Sequence, residues 1–134
     1  MGKCNYCGLP VGWFRAEHKE CKQINVKSRA DITALSCQAI IEHIDEKETR
    51  SLIRELQLQG HVTKKELEAA VGEGIKSAID HFLDDNVLSE QEESSIDKYL
   101  KVLPISGEAL NALGLSQKIV KASIIRSISQ NQVP

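Results

Sequence analysis

The chain of 134 residues is long enough for one ordinary domain, or for a small module joined to a unit of about 100 residues. Its net charge of −2 hides an asymmetry: residues 1–30 hold six Lys and Arg against two acidic residues, and residues 31–134 hold eleven against seventeen. Hydrophobic residues make up 41% and aromatics only 4%, which favours packed aliphatic helices over a β-sandwich, and no apolar run approaches the roughly 18 residues of a membrane span.

The first element carries the most specific chemistry. Cys4-Asn5-Tyr6-Cys7-Gly8 is followed by His18-Lys19-Glu20-Cys21, a C-x2-C and an H-x2-C within eighteen residues. Three thiolates and an imidazole at this spacing form a tetrahedral Zn²⁺ site, and four protein ligands leave no open position, so the metal is expected to be structural. The Cys4–Gly8 turn resembles a zinc knuckle, with Gly8 freeing the backbone to turn N–H groups toward sulfur. Leu9 to Ala16 reads as a short β-hairpin that lays Trp13 and Phe14 over the site, and His18 and Cys21 face one point from the first turn of a helix. Knuckle, hairpin and helix-borne ligand pair resemble a treble-clef zinc module over residues 1–30. So short a segment cannot bury enough apolar area to fold without a staple. Cys37 reads as a small core residue; the alternative is that it replaces His18 as ligand. With no signal-peptide h-region and with grouped cysteines of metal-binding spacing, the chain is expected in a reducing cytoplasm.

Residues 31–130 read as an all-helical domain. From Ser28 or Asp31 onward, Ile32, Leu35, Ala39, Ile40 and Ile44 follow helical spacing. The polar run Asp45–Arg50 either continues that helix or interrupts it before Leu52, Ile53 and Leu56. After the break at Gly60, Thr63-Lys64-Lys65-Glu66 is a capping box, opening a helix with an apolar stripe of Leu67, Val71, Ile75, Ala78, Ile79 and Phe82. This is expected to be the central helix, and Gly72 and Gly74 are expected to admit a neighbour at close range. Ser89-Glu90-Gln91-Glu92 is a second capping box, and its helix runs through Ile96, Tyr99, Leu100 and Leu103 to Pro104. Ser106 caps a short helix over Leu110 and Leu113, Gly114 ends it, and Ser116 starts a last one with Ile119, Val120, Ile124, Ile125 and Ile128. The end after Pro134 leads to the expectation that a further domain follows in a longer parent protein.

Seven carboxylates and no Lys or Arg lie between Asp80 and Asp97. Acids at the start of the following helix interact favourably with its dipole, and a second divalent-cation site for Ca²⁺ or Mg²⁺ is the competing reading. The EF-hand pattern fails, because placing Glu92 at the last loop position puts His81 and Leu83 where carboxylates belong. The run Phe82-Leu83-Asp84-Asp85-Asn86-Val87-Leu88-Ser89-Glu90-Gln91-Glu92 resembles the turn of the TerB-like tellurite-resistance domains, with Asp85, Ser89 and Glu92 matching and Asn86 standing where that family usually has Gly. The resemblance implies an all-helical bundle of bacterial stress or defence systems and a cation site at Asp84, Asp85 and Glu92.

No nucleophile–base arrangement, phosphate-cradling loop or open metal position is present, so the chain reads as non-enzymatic. The expectation is a zinc-stapled helical module that binds a protein partner or another domain of a larger chain, with self-association as one form of it. The alternative is a nucleic-acid binder that uses Lys3, Arg15, Lys19, Lys22, Lys27 and Arg29 on phosphates and Trp13 or Tyr6 on bases.

Overall fold

The computed structural model describes residues 2–13, 15–85 and 88–121, with the side chain of Asp85 excepted. Five α-helices lie in this part of the chain: α1 (Lys19–Glu42), α2 (Glu46–Gln59), α3 (Lys64–Phe82), α4 (Glu90–Leu100) and α5 (Gly107–Ala112). A 3₁₀ turn at Leu83–Asp85 follows α3, and residues 115–121 are helical again. Phe14, Asn86, Val87, Ile124, Ile125 and Ile128 fall outside the described residues.

The helix starts follow local hydrogen bonding. Thr63 Oγ1 accepts the Glu66 amide while Glu66 returns a carboxylate oxygen to the Thr63 amide, and Ser89 and Glu92 repeat the arrangement at α4. Ser106 caps α5 through the Ala109 amide. The ambiguity at Asp45–Arg50 resolves as an interruption. His43 takes a left-handed conformation at φ 56°, its amide returns to Ala39, and Asp45 Oδ2 then accepts the Glu48 amide at 3.0 Å to start α2.

Two expectations are corrected here. The helix expected from Ser28 or Asp31 begins at Lys19 and is continuous with the helix that carries Cys21, so residue 30 lies in the middle of the 24-residue α1. Its buried stripe starts with the polar Asn25 and Ser28 before reaching Ile32, Ser36, Ala39 and Ile40, so hydrophobic spacing does not reveal its first turns. The second correction concerns the hairpin at Leu9–Ala16. The pairing that forms joins Lys3 to Pro10 across the Cys4–Gly8 turn, with Cys4 N–H on Leu9 O at 2.8 Å and Val11 N–H on Gly2 O at 3.0 Å. Pro10 has no N–H to give to a ladder, and its neighbours supply the bonds instead. Trp13 is 75% exposed and does not cover the site.

α1 and α3 form the centre, with α2 beside α1 and with α4 and α5 against α3. The α1–α3 contact is close because Gly74 has no side chain: a Cβ there would stand 2.5 Å from Thr33 O and 2.7 Å from Ser36 Cβ. Gly72 makes room for a different neighbour, Leu113 just beyond α5. Leu67, Val71, Ile75, Ala78 and Ile79 of α3 are buried together with Ile32, Ile40, Ile53, Leu88 and Ile96. α4 also closes the end of α1. Ser95 Oγ donates to Ile40 O at 2.9 Å, and the hydroxyl of the fully buried Tyr99 donates to Ile44 O. The first bond occupies a carbonyl that the end of α1 leaves without an intrahelical partner, and the second holds the link between α1 and α2.

Candidate metal centre

The Lys3–Pro10 bridge and the left-handed Gly8, at φ 76°, fold the Cys4–Cys7 segment into a tight turn in which the Gly8 amide meets Cys4 O at 3.0 Å. Asn5 N–H on Ala16 O at 2.9 Å ties this turn to the residues just before α1. His18 is the N-cap residue of α1, with no side-chain cap bond, because its ring is turned to the cysteines. Cys21 follows in the first helical turn, where the N-terminal partial charge of α1 favours anionic sulfur.

The ligand atoms of Cys4, Cys7, His18 and Cys21 all lie within 4.8 Å of one another. His18 Nδ1 is 3.4 Å from Cys7 Sγ and 3.7 Å from Cys21 Sγ. Ideal tetrahedral Zn–N and Zn–S bonds put nitrogen and sulfur about 3.6 Å apart, so the spacing fits a metal held between them. The ring is oriented by its other nitrogen: Nε2–H donates to Pro10 O at 2.9 Å, leaving the Nδ1 lone pair free for a metal. Pro10 thus has a role the sequence did not disclose, since only the folded turn brings its carbonyl to the imidazole.

Electrostatics separate the thiols. Burial opposes ionisation of Cys4, but the amides of Cys7, His18 and Tyr6 outweigh it and bring its pKa down to about 6; His18 N–H reaches Cys4 Sγ at 3.4 Å. Cys21 is pushed up to about 11 by desolvation and by the neighbouring Cys7 and Cys4 sulfurs. A divalent cation among the sulfurs reverses that penalty, since it favours the thiolate over the thiol at every position.

The chain matches no family model, no curated protein and no solved structure. The residues themselves carry the reading. Cys4, Cys7, His18 and Cys21 could hold a metal such as zinc, and among the described residues they are the one convergent group of metal-ligating side chains. Cys37 is half-buried against the core sixteen residues beyond Cys21 on the same helix, about 24 Å along its axis, and burial raises its thiol pKa. Of the acidic turn, Asp84 is exposed, the Glu92 carboxylate accepts the Ser89 amide at 2.9 Å, and Asp80 pairs with Lys118. No described helix is long and apolar enough to cross a membrane.

α1 runs without a break from the metal centre into the bundle. One turn after Cys21, the fully buried Asn25 donates to Gly60 O at 3.0 Å and accepts from Arg29 Nε at 2.9 Å, and Arg29 stands 3.8 Å from the Glu66 carboxylate. Ser28 packs where a Cβ on Gly60 would be only 2.5 Å from its own. This network fixes the α2–α3 turn to the helix that bears Cys21, so the position of the metal ligands and that of the bundle depend on one another.

Proposed function

We propose that the protein is a non-enzymatic, zinc-stapled helical module that works by binding a protein partner or another domain of a larger assembly. The observation that carries this reading is the closed donor set: three Sγ and one Nδ1 converge, leaving no place for water or substrate, and the helix that bears Cys21 also forms the centre of the bundle. Zinc supplies cross-linking here. Cys4 and Cys7 come from the knuckle and His18 and Cys21 from the start of α1, so the metal joins a segment with little core of its own to the helices.

We read residues 1–30 as a treble-clef finger and the helices as TerB-like, which places the module in bacterial stress or defence. Support comes from the knuckle closed by Lys3 and Pro10, and from the Ser89–Glu92 capping box after the turn at Leu83–Asp85. Ligand thiolates suit a reducing cytoplasm. Elemental analysis of the full chain should find one zinc per chain, lost in Cys7→Ser; less than half an equivalent in the folded protein refutes the staple. Co-precipitation that recovers no protein partner, together with sedimentation that shows no self-association, refutes the interaction reading.

A second reading rests on Trp13, which is 75% exposed in a segment that also carries the exposed Lys3, Arg15 and Lys19. An exposed ring with cations around it is suited to stacking on a base of single-stranded nucleic acid. A mobility shift with mixed DNA or RNA at low salt is its test, and no shift disposes of it.

A further inference from the structure

A groove of about 930 Å³ opens between α2 and the segment that follows α4. One side is cationic. Lys47, Arg50 and Arg54 stand at i, i+3 and i+7, on one face of α2, and His61 continues the line past the helix end. All four are exposed, and among the described residues no carboxylate lines the groove. Among the described residues, Lys47, Arg50 and Arg54 have no ion-pair partner. The acids of α2 are directed elsewhere: Glu46 pairs with Lys98 at 3.3 Å, while Glu48 and Glu55 lie about a third of a turn round the helix axis from the cationic face at 100° per residue. Arg50 and Arg54 at i, i+4 repel each other, so this arrangement does nothing for the stability of α2.

The other side is apolar. Ile53 and Val62 are buried beneath it, Val102 and Pro104 form the far wall, and Leu58 is 66% exposed at the rim. Cations along an aliphatic floor match a peptide that alternates carboxylates with Leu, Ile or Val. Guanidinium groups take carboxylates through two parallel hydrogen bonds. Lys47 and Arg54 are about 10.5 Å apart along the helix, the reach of three or four residues of extended chain or two turns of a peptide helix.

We propose that this groove docks a short acidic, aliphatic segment of a partner protein. The inference deepens the interaction reading and rests on it, but it is independent of the metal. Charge complementarity selects the occupant. A nucleic acid fits less well, because among the described residues no aromatic side chain on which a base could stack lines the groove. The rest of the helical region also opposes a long polyanion, since residues 31–134 carry seventeen acidic residues against eleven basic ones.

The test uses the full, zinc-loaded chain to select binders from a phage library of random 12-residue peptides, whose affinities are then measured by fluorescence anisotropy. Selected peptides should be rich in Asp and Glu with interspersed Leu or Ile, should weaken as salt rises, and should bind the Arg50→Glu/Arg54→Glu variant at least tenfold more weakly. Both residues are exposed and unpaired, so the variant should keep the wild-type circular dichroism; Arg50→Ala/Arg54→Ala, which adds no charge, should bind with intermediate affinity. Four results overturn the proposal. They are a library that yields no binder, selected peptides that are neutral or basic or that bind the variant equally well, a single-stranded oligothymidine that displaces them, and a wild-type dimer that the variant dissolves. Peptides that bind the variant equally well place the partner elsewhere and leave the interaction reading standing; that reading falls only if co-precipitation and sedimentation also find no partner.

Discussion

Replacing Gly74 by Ala tests the crossing on which the fold depends. The added methyl would stand 2.5 Å from Thr33 O, 2.7 Å from Ser36 Cβ and 3.1 Å from Cys37 N, where about 3.5–4.0 Å is the optimal separation for carbon. Two of these atoms are backbone and the third is held by it, so no rotamer change relieves the overlap and α1 and α3 must separate. Overpacking of this kind costs about 1–3 kcal/mol, and the rigidity of the neighbours puts this site at about 3. The better helix propensity of Ala returns about 1 kcal/mol, leaving a net loss of about 2 kcal/mol and a fall in Tm of about 8 °C. Gly72→Ala is the matched control. Its methyl would meet Leu113 Cδ1 at 2.3 Å, but that is the end of a flexible side chain, 40% exposed, which can swing away. That variant should be as stable as wild type within about 0.5 kcal/mol, or slightly more stable. Urea unfolding of the zinc-loaded proteins, followed by circular dichroism, decides the matter. If Gly74→Ala matches the stability of Gly72→Ala, the two helices do not cross at this residue and the reasoning fails.

Two further outcomes depend on pH. With Cys4 at about 6 and Cys21 at about 11, metal binding near neutrality must expel the Cys21 proton, so apparent zinc affinity should rise at least about tenfold per pH unit between pH 6.5 and 8.5. Competition with a chromophoric chelator measures it, and a flat profile would contradict the ligand assignment of Cys21. Glu66 is held below its usual 4.5 by the Thr63 amide first, and by Asn25, the Thr63 side chain and Arg29, against the opposing effect of burial. Its contribution is therefore present in full above the unfolded value and is lost as pH falls through the lower folded value. The stability difference between wild type and Glu66→Gln should be constant from pH 7 to 5 and shrink below 4.5; a difference unchanged at pH 3.5 would show that the carboxylate charge is not what stabilises the Asn25–Arg29–Glu66 network.

The metal cluster and the capping boxes were legible because their geometry is local. His18 and Cys21 are one helical turn apart, Thr63 and Glu66 or Ser89 and Glu92 satisfy each other across three residues, and no distant partner is needed. The start of α2 was equally local, written in Asp45 and Glu48, but the same run is also compatible with a solvated helix face, and only the left-handed His43 ends α1 there. The cationic groove is not legible in the sequence, because Lys47, Arg50 and Arg54 are an ordinary exposed helix face until Val102 and Pro104 are folded opposite them.

By itself, the sequence determined the candidate donor set, an aliphatic helical core and the capped starts of α3, α4 and α5, all of which follow from spacing and from bonds that close within one turn. The tertiary structure decided that the Cys/His cluster and the bundle share one helix. Asn25 and Ser28 are polar residues in the buried stripe of α1, so a search for apolar periodicity passes over them; what buries them is the Gly60 turn, thirty-five residues beyond Asn25, which offers a carbonyl and an absent side chain. Burying the Asn25 amide costs little because its hydrogen-bond partner is waiting, and that partner is set by packing that no stretch of neighbouring residues encodes.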